Sequence, residues 1–153
     1  MKSDFDEIVL ELGEQLSFPL QPDSEGRCSI LIEEAVHIQI EYQGETNRIL
    51  VIATLSELVP GPLRGQIVTR ALIDNGGSDY HAGHFAYSRQ ANQLVLQQYI
   101  PMQDLDGKRL YGLLELFAVK AWQWHQGCKS GNLPQPHAVE KSSPKPRLGR
   151  AEL

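Results

Sequence analysis

The sequence predicts an α+β fold, a mainly antiparallel twisted sheet built in the order helix, three strands, helix, two strands, helix. Three observations predict it. Val36, Ile38, Ile40 and Tyr42 alternate with His37, Gln39 and Glu41, the period of a half-buried strand. Apolar residues recur at helical spacing near the N-terminus, after Pro62 and between residues 106 and 126. The strand runs come in hairpin-sized groups with helices between the groups, which favours antiparallel pairing.

Ser3 is placed to cap the first helix, with Asp6 standing for the capping-box acid. Phe5, Ile8, Val9, Leu12 and Leu16 form its apolar stripe. Pro19 disfavours helical geometry at Phe18, so this helix should stop near Ser17. Residues 28–32 and 36–42 make the first two strands, with Glu33 and Glu34 in the turn between them. Residues 48–54 make the third. Its apolar run from Ile49 to Ala53 serves both faces, so both faces are expected to be covered.

Pro60, Gly61 and Pro62 break the chain, and Pro62 suits the first turn of a second helix. Asn75, Gly76 and Gly77 suit a positive-φ ending for it. Strands over residues 82–87 and 93–99 follow. Asp104 or Asp106 can cap the last helix, whose main face holds Leu110, Leu113, Leu114, Phe117, Ala121 and Trp124. Gly127 is expected to end it. Residues 129–153 are rich in proline and poor in large apolar side chains, and read as a disordered tail. The expected division is a domain over 1–128 and a tail over 129–153.

A chain of 153 residues, 41% hydrophobic and 22% charged, has the composition of one globular domain. The net charge of -5 is uneven. Residues 129–153 carry five basic and two acidic side chains, so the tail holds +3 and the body -8. An acidic body repels phosphate backbones, which argues against nucleic acid as a partner. The N-terminus lacks the apolar core of a signal peptide. No run reaches the ~20 apolar residues of a membrane helix. Cys28 and Cys128 read as free thiols of a reducing compartment. Together these features point to the cytoplasm.

No catalytic or metal site emerges. His81 and His84 flank a strand entry, where their spacing sends them to opposite faces and no acids or cysteines join them. His125 and Cys128 suggest a thiol–base pair, but no orienting third group accompanies them; a surface cysteine beside a helix-terminal histidine is the plainer reading. There is no phosphate loop, dinucleotide fingerprint or nucleophile elbow, and no cofactor is expected.

A sheet of this size with three helices leaves apolar surface uncovered, and a dimer is the simplest cover. Leu63, Ile67, Val68, Ala71 and Leu72 of the second helix, with the following hairpin, are the candidate interface. A remaining strand edge can accept an extended peptide.

The order of elements, the acidic body, the Pro62-started helix ending in Asn75-Gly76-Gly77 and the terminal amphipathic helix resemble class I type III secretion chaperones, the Tir-chaperone (CesT-type) family. Residues 49–55 and 94–97 are similar to that family's third and fifth strands. Gly131-Asn132-Leu133-Pro134 is similar to the tail start of some chlamydial members. The resemblance spans residues 5–126, and the long basic tail departs from it. It implies a homodimer, or a heterodimer with a second chaperone, in the bacterial cytoplasm. Such a chaperone binds the N-terminal segment of a secreted effector or gatekeeper protein and keeps it soluble and secretion-competent, without catalysis. It implies that Leu12, Leu16, Ile30, Ile32, Ile49 and Val51 lie near client-binding patches, although the residue pattern fits plain core equally well. The alternative is a general protein-interaction module of the same fold outside secretion.

Overall fold

The computed structural model describes residues 4–77, 82–136 and 144–151. The chain runs α1 (Asp4–Leu16), β1 (Arg27–Ile32), β2 (Val36–Gln43), β3 (Arg48–Glu57), α2 (Pro62–Asn75), β4 (His84–Ser88), β5 (Gln93–Pro101), α3 (Gly107–Ser130) and β6 (Leu148–Arg150). The expected order holds through α3, and β6 is an addition to it. The described strands form one antiparallel sheet in the order β4-β5-β3-β2-β1-β6. Ser3 and His81 lie outside the described residues.

Strand alternation decides which face is buried. Ile38 and Ile40 stand in register with Ala53 and Val51, and all four are fully buried. The α1 stripe of Phe5, Ile8, Val9 and Leu12 shares one core with Leu110, Leu114, Phe117 and Trp124 of α3. Gly107 lets the two helices approach, because a Cβ there would overlap Glu11 of α1. The Gly107 N–H also donates to the Glu11 carboxylate at 3.3 Å. α2 lies at the β4 end of this face, where Ile67 and Ala71 join the same core as Phe85 and Leu94. On the opposite face of β3, Leu50 stands in register between Glu41 and Tyr99, and Arg48 lies 3.7 Å over the Tyr99 ring. Leu50 is buried there among cross-strand neighbours.

Two element ends differ from the sequence reading, and a third is settled between its two candidates. Gly76 follows α2 in a right-handed helical conformation, and the Asn75 amide is occupied elsewhere. Its Oδ1 accepts from the Phe85 N–H at 2.7 Å and its Nδ2 donates to the Phe85 carbonyl at 2.9 Å. Asp106, not Asp104, caps α3, accepting from the Arg109 N–H at 2.8 Å. α3 runs past Gly127 to Ser130 and ends on Gly131 at φ 82°. Gly127 serves a close approach instead, since a Cβ there would sit 2.9 Å from Pro134.

The tail reading also changes. Arg70 of α2 donates to the Pro134 carbonyl at 2.7 Å, and Leu133 packs against the core. β6 then pairs with β1, Leu148 opposite Ile32 and Arg150 opposite Ile30. The segment over 144–151 is therefore laid on the body, held by main-chain bonds that composition does not register.

One buried ion pair joins α2 to α3. Lys120 Nζ lies 2.6 Å from Asp74 Oδ2, with both side chains about 95% buried, at 5% and 4% exposure. The ammonium also donates to the Gly83 carbonyl at 3.1 Å and stands 4.9 Å from the Phe85 ring centroid. Removing one partner strands the other charge in the core. Lys120→Met should therefore lower unfolding free energy by about 3–5 kcal/mol in urea titration, and adding Asp74→Leu should restore most of it.

Candidate functional site

α2 splits the stripe predicted for it. Ile67 and Ala71 point inward together with Asp74, and Leu63 is half-buried. Val68 is 37% and Leu72 65% exposed. Ile73 of the same helix, Tyr87 of β4 and Val59 ahead of α2 are also exposed; sequence reasoning singled out none of the three, although it named the hairpin that carries Tyr87. The signal was Asp74: an acid on the inward face rotates Leu72 and Ile73 outward, but this shows only once Lys120 is known to be its partner.

The outward face borders a groove of about 300 Å³ between α2 and the β4–β5 hairpin, lined in part by Val68, Leu72, Phe85 and Tyr87. A polar cluster fixes its rim. Arg64 donates to the Leu58 carbonyl at 2.7 Å and to Asn92 Oδ1 at 3.2 Å. Tyr87 donates its hydroxyl to the same Asn92 oxygen at 2.8 Å. An apolar patch with a fixed polar rim has the make-up of a protein interface.

The residues expected near client patches lie elsewhere. Leu12, Ile30, Ile32, Ile49 and Val51 are fully buried in the protomer core, and Leu16 is half-buried. Alternation told the two faces apart without telling which one α1 and α3 cover. Apolar side chains of these elements that reach solvent include the exposed Leu10 of α1 and the half-buried Leu31 of β1, and β6 lies along the β1 edge. At that edge the Glu33 carboxylate accepts from the Arg147 N–H at 2.7 Å and from its guanidinium at 3.3 Å. The main-chain bond to Arg147 comes first in holding the Glu33 carboxyl below its ordinary pKa. The contact is thus complete above the usual carboxylate range and is lost as pH falls through that lowered value.

The nucleophile candidates are enclosed. Cys128 is buried, not at the surface as the sequence suggested. Burial pushes its thiol up to about 11, against a lowering hydrogen bond with Ser56. Burial, then the charge of Asp23, pushes the Cys28 thiol up to about 12. His125 Nδ1 is 2.7 Å from the Leu55 carbonyl, and its ring stacks on Trp122. His84 faces Gln97, and burial followed by the Lys120 charge lowers its pKa. Among the described residues, no group of three or more His, Cys, Asp or Glu side chains is placed to hold a metal. No helix among them is long and apolar enough to cross a membrane.

The model of the Tir chaperone protein (CesT) family matches residues 7–125, from α1 through most of α3. The chain belongs to that family. The CesT-family fold here is similar to solved structures at low sequence identity. A chain of the ExsC–ExsE complex is 16% identical, with a TM-score of 0.65, covering 90% of this chain and 95% of that one. A chain of the HopA1–SchA chaperone–effector complex is 18% identical, with a TM-score of 0.60, covering 80% and 91%. A chain from the Yersinia pestis type III secretion chaperone SycH in complex with a stable fragment of YscM2 is 13% identical, with a TM-score of 0.59, covering 77% and 97%. No curated protein matches the CesT-family chain.

Buried, protonated thiols react slowly. Cys28 and Cys128 should be labelled by Ellman's reagent at pH 8 at least about 100-fold more slowly in the folded protein than in urea. Prompt labelling of either thiol in the folded chain would contradict its placement.

Proposed function

We propose that this CesT-family protein is a cytoplasmic bacterial chaperone that binds the N-terminal segment of a secreted effector or gatekeeper protein. It keeps that segment soluble and secretion-competent, acts without catalysis, and works as a dimer through α2 and the β4–β5 hairpin. The family match across α1 to α3 carries the reading. The exposed Val68, Leu72 and Ile73 on one face of α2 support the dimer, since water-exposed leucine and isoleucine beside a groove gain from a covering subunit. The printed descriptions of similar folds as chaperone–effector and chaperone–fragment complexes support a polypeptide client. A client threaded for export must stay extended, and binding through apolar patches and main-chain bonds tolerates varied sequence.

Leu72→Asp puts a charge on the outward face and should weaken self-association at least about ten-fold, seen as a fall in mass by light scattering with unchanged circular dichroism. Ile67→Asp should unfold the protomer instead, because Ile67 is only 3% exposed. An unchanged mass for Leu72→Asp would exclude this face as the dimer contact. Co-expression in the native bacterium should recover the chaperone bound to the N-terminal region of one secreted protein. Recovery with a folded, non-secreted partner alone would favour an interaction module outside secretion.

A further inference from the structure

We propose that the outer edge of β1 is closed in the free chain by a strand of its own tail, an autoinhibitory contact that an incoming extended strand carrying a basic residue followed by an apolar one must displace. The chain's own residues 147–150 are its resident, displaceable occupant. The inference rests on the chaperone reading for the identity of the competing strand, which is a segment of the client.

The first observation is how lightly β6 is held. It pairs over three residues, whereas β1 pairs with β2 over six. Of those three, Gly149 offers no side chain, Arg150 is exposed, and Leu148 is half-buried against the core. The ion pairs leading into it are at the surface: Lys145 to Glu115 at 3.1 Å, and Arg147 to Glu33 at 3.3 Å with the Arg147 side chain 83% exposed. Exposed pairs contribute little and are screened by salt. What remains is main-chain bonding, the partial cover of Leu148 and the bond from the Arg147 N–H to the Glu33 carboxylate, all of which another extended segment with compatible side chains can supply.

The second observation is Glu33. Residues 33 and 34, in the three-residue turn between the paired Ile32 and Val36, have φ of 49° and 57°, and the Ala35 N–H closes the turn on the Ile32 carbonyl at 2.9 Å. That turn favours asparagine and glycine. Glutamate is a poor choice for it, yet the Glu33 main-chain N–H donates to the Arg147 carbonyl at 2.8 Å while its carboxylate receives both the N–H and the guanidinium of Arg147. One residue thus reads backbone and charge of an incoming strand and sets its register.

The third observation is the extent of the family match, which ends at residue 125 and leaves the strap and β6 outside it. Residues 144–150 of the basic tail lie along an acidic body and add only the half-buried Leu148 to its core. A tethered tail of this length acts at roughly millimolar effective concentration, enough to fill a weak site until a tighter strand arrives.

The test uses the full-length chain and needs no client at first. By antiparallel alternation from the 33–147 bond, Gly149 is the next residue to exchange main-chain bonds with β1, so Gly149→Pro removes a donor from the tail alone. A fluorescent peptide of residues 144–151 should bind Gly149→Pro about ten-fold more tightly than the unaltered chain, the gain expected if the edge is free in roughly a tenth of molecules. Adding Glu33→Asn, which suits the turn and removes the carboxylate, should abolish most of that binding. Equal binding to both chains, or binding indifferent to Glu33, overturns the proposal. When a client segment is available, it should release the peptide and bind Gly149→Pro more tightly than the unaltered chain. A client that binds both equally and leaves the peptide in place overturns this inference while sparing the chaperone reading. A peptide that behaves as expected while no client is found leaves the edge site standing and removes the chaperone reading.

Discussion

The contact between Lys120 and Asp74 governs what this molecule shows to others. A charge pair excluded from water has little freedom: each group must stay with its partner or lose several kcal/mol. Because Asp74 sits on α2 and Lys120 on α3, the pair fixes the rotation of α2 about its own axis. That rotation turns Ile67 and Ala71 into the core and leaves Val68, Leu72 and Ile73 outside. An all-apolar α2 would be free to roll and bury its leucine. Here the ion pair opposes that roll, so a greasy face is kept in water in a defined orientation. The same ammonium holds the Gly83 carbonyl just before β4, so helix and neighbouring strand move as one.

Periodicity carried most of the architecture. β2 was legible because its alternation is strict, and α1 because its stripe is narrow and ends at a proline. Residues 148–150 were not legible as a strand. Three residues make no period, and their bonds are main-chain bonds that any sequence can form. Gly127 was misleading for a related reason. Glycine marks both helix ends and close approaches, and only the return of Pro134 over α3 separates the two. The α2 face was half legible: the stripe was right, but its division into inward and outward residues depends on a partner 46 positions away in the chain. The six residues tied by resemblance to client patches lie in or at the edge of the core, because alternation does not say which face is covered.

The charge pattern gains a physical sense from the fold. Composition showed a basic tail and an acidic body as separate facts. In the structure Lys145 and Arg147 meet Glu115 and Glu33, so opposite charges are used within one chain. Each contact is individually weak and lies at the surface. The arrangement suits a strap that is laid down often and lifted often, in contrast to the buried pair that holds α2.

The Asn75 amide grips both the N–H and the carbonyl of Phe85, the groups an outermost strand would otherwise hold out to a stranger. A side chain thereby imitates a neighbouring strand and stops the sheet from growing at that border. Fibre growth by edge pairing needs two open borders per subunit, one to receive and one to offer. With one border closed by a residue of the folded body, lifting the strap at the other exposes a single sticky end. Each subunit therefore offers one receptive border, and the dimer proposed through α2 and β4–β5 offers two, so a lifted strap must be met by a client strand or laid back before dimers link edge to edge.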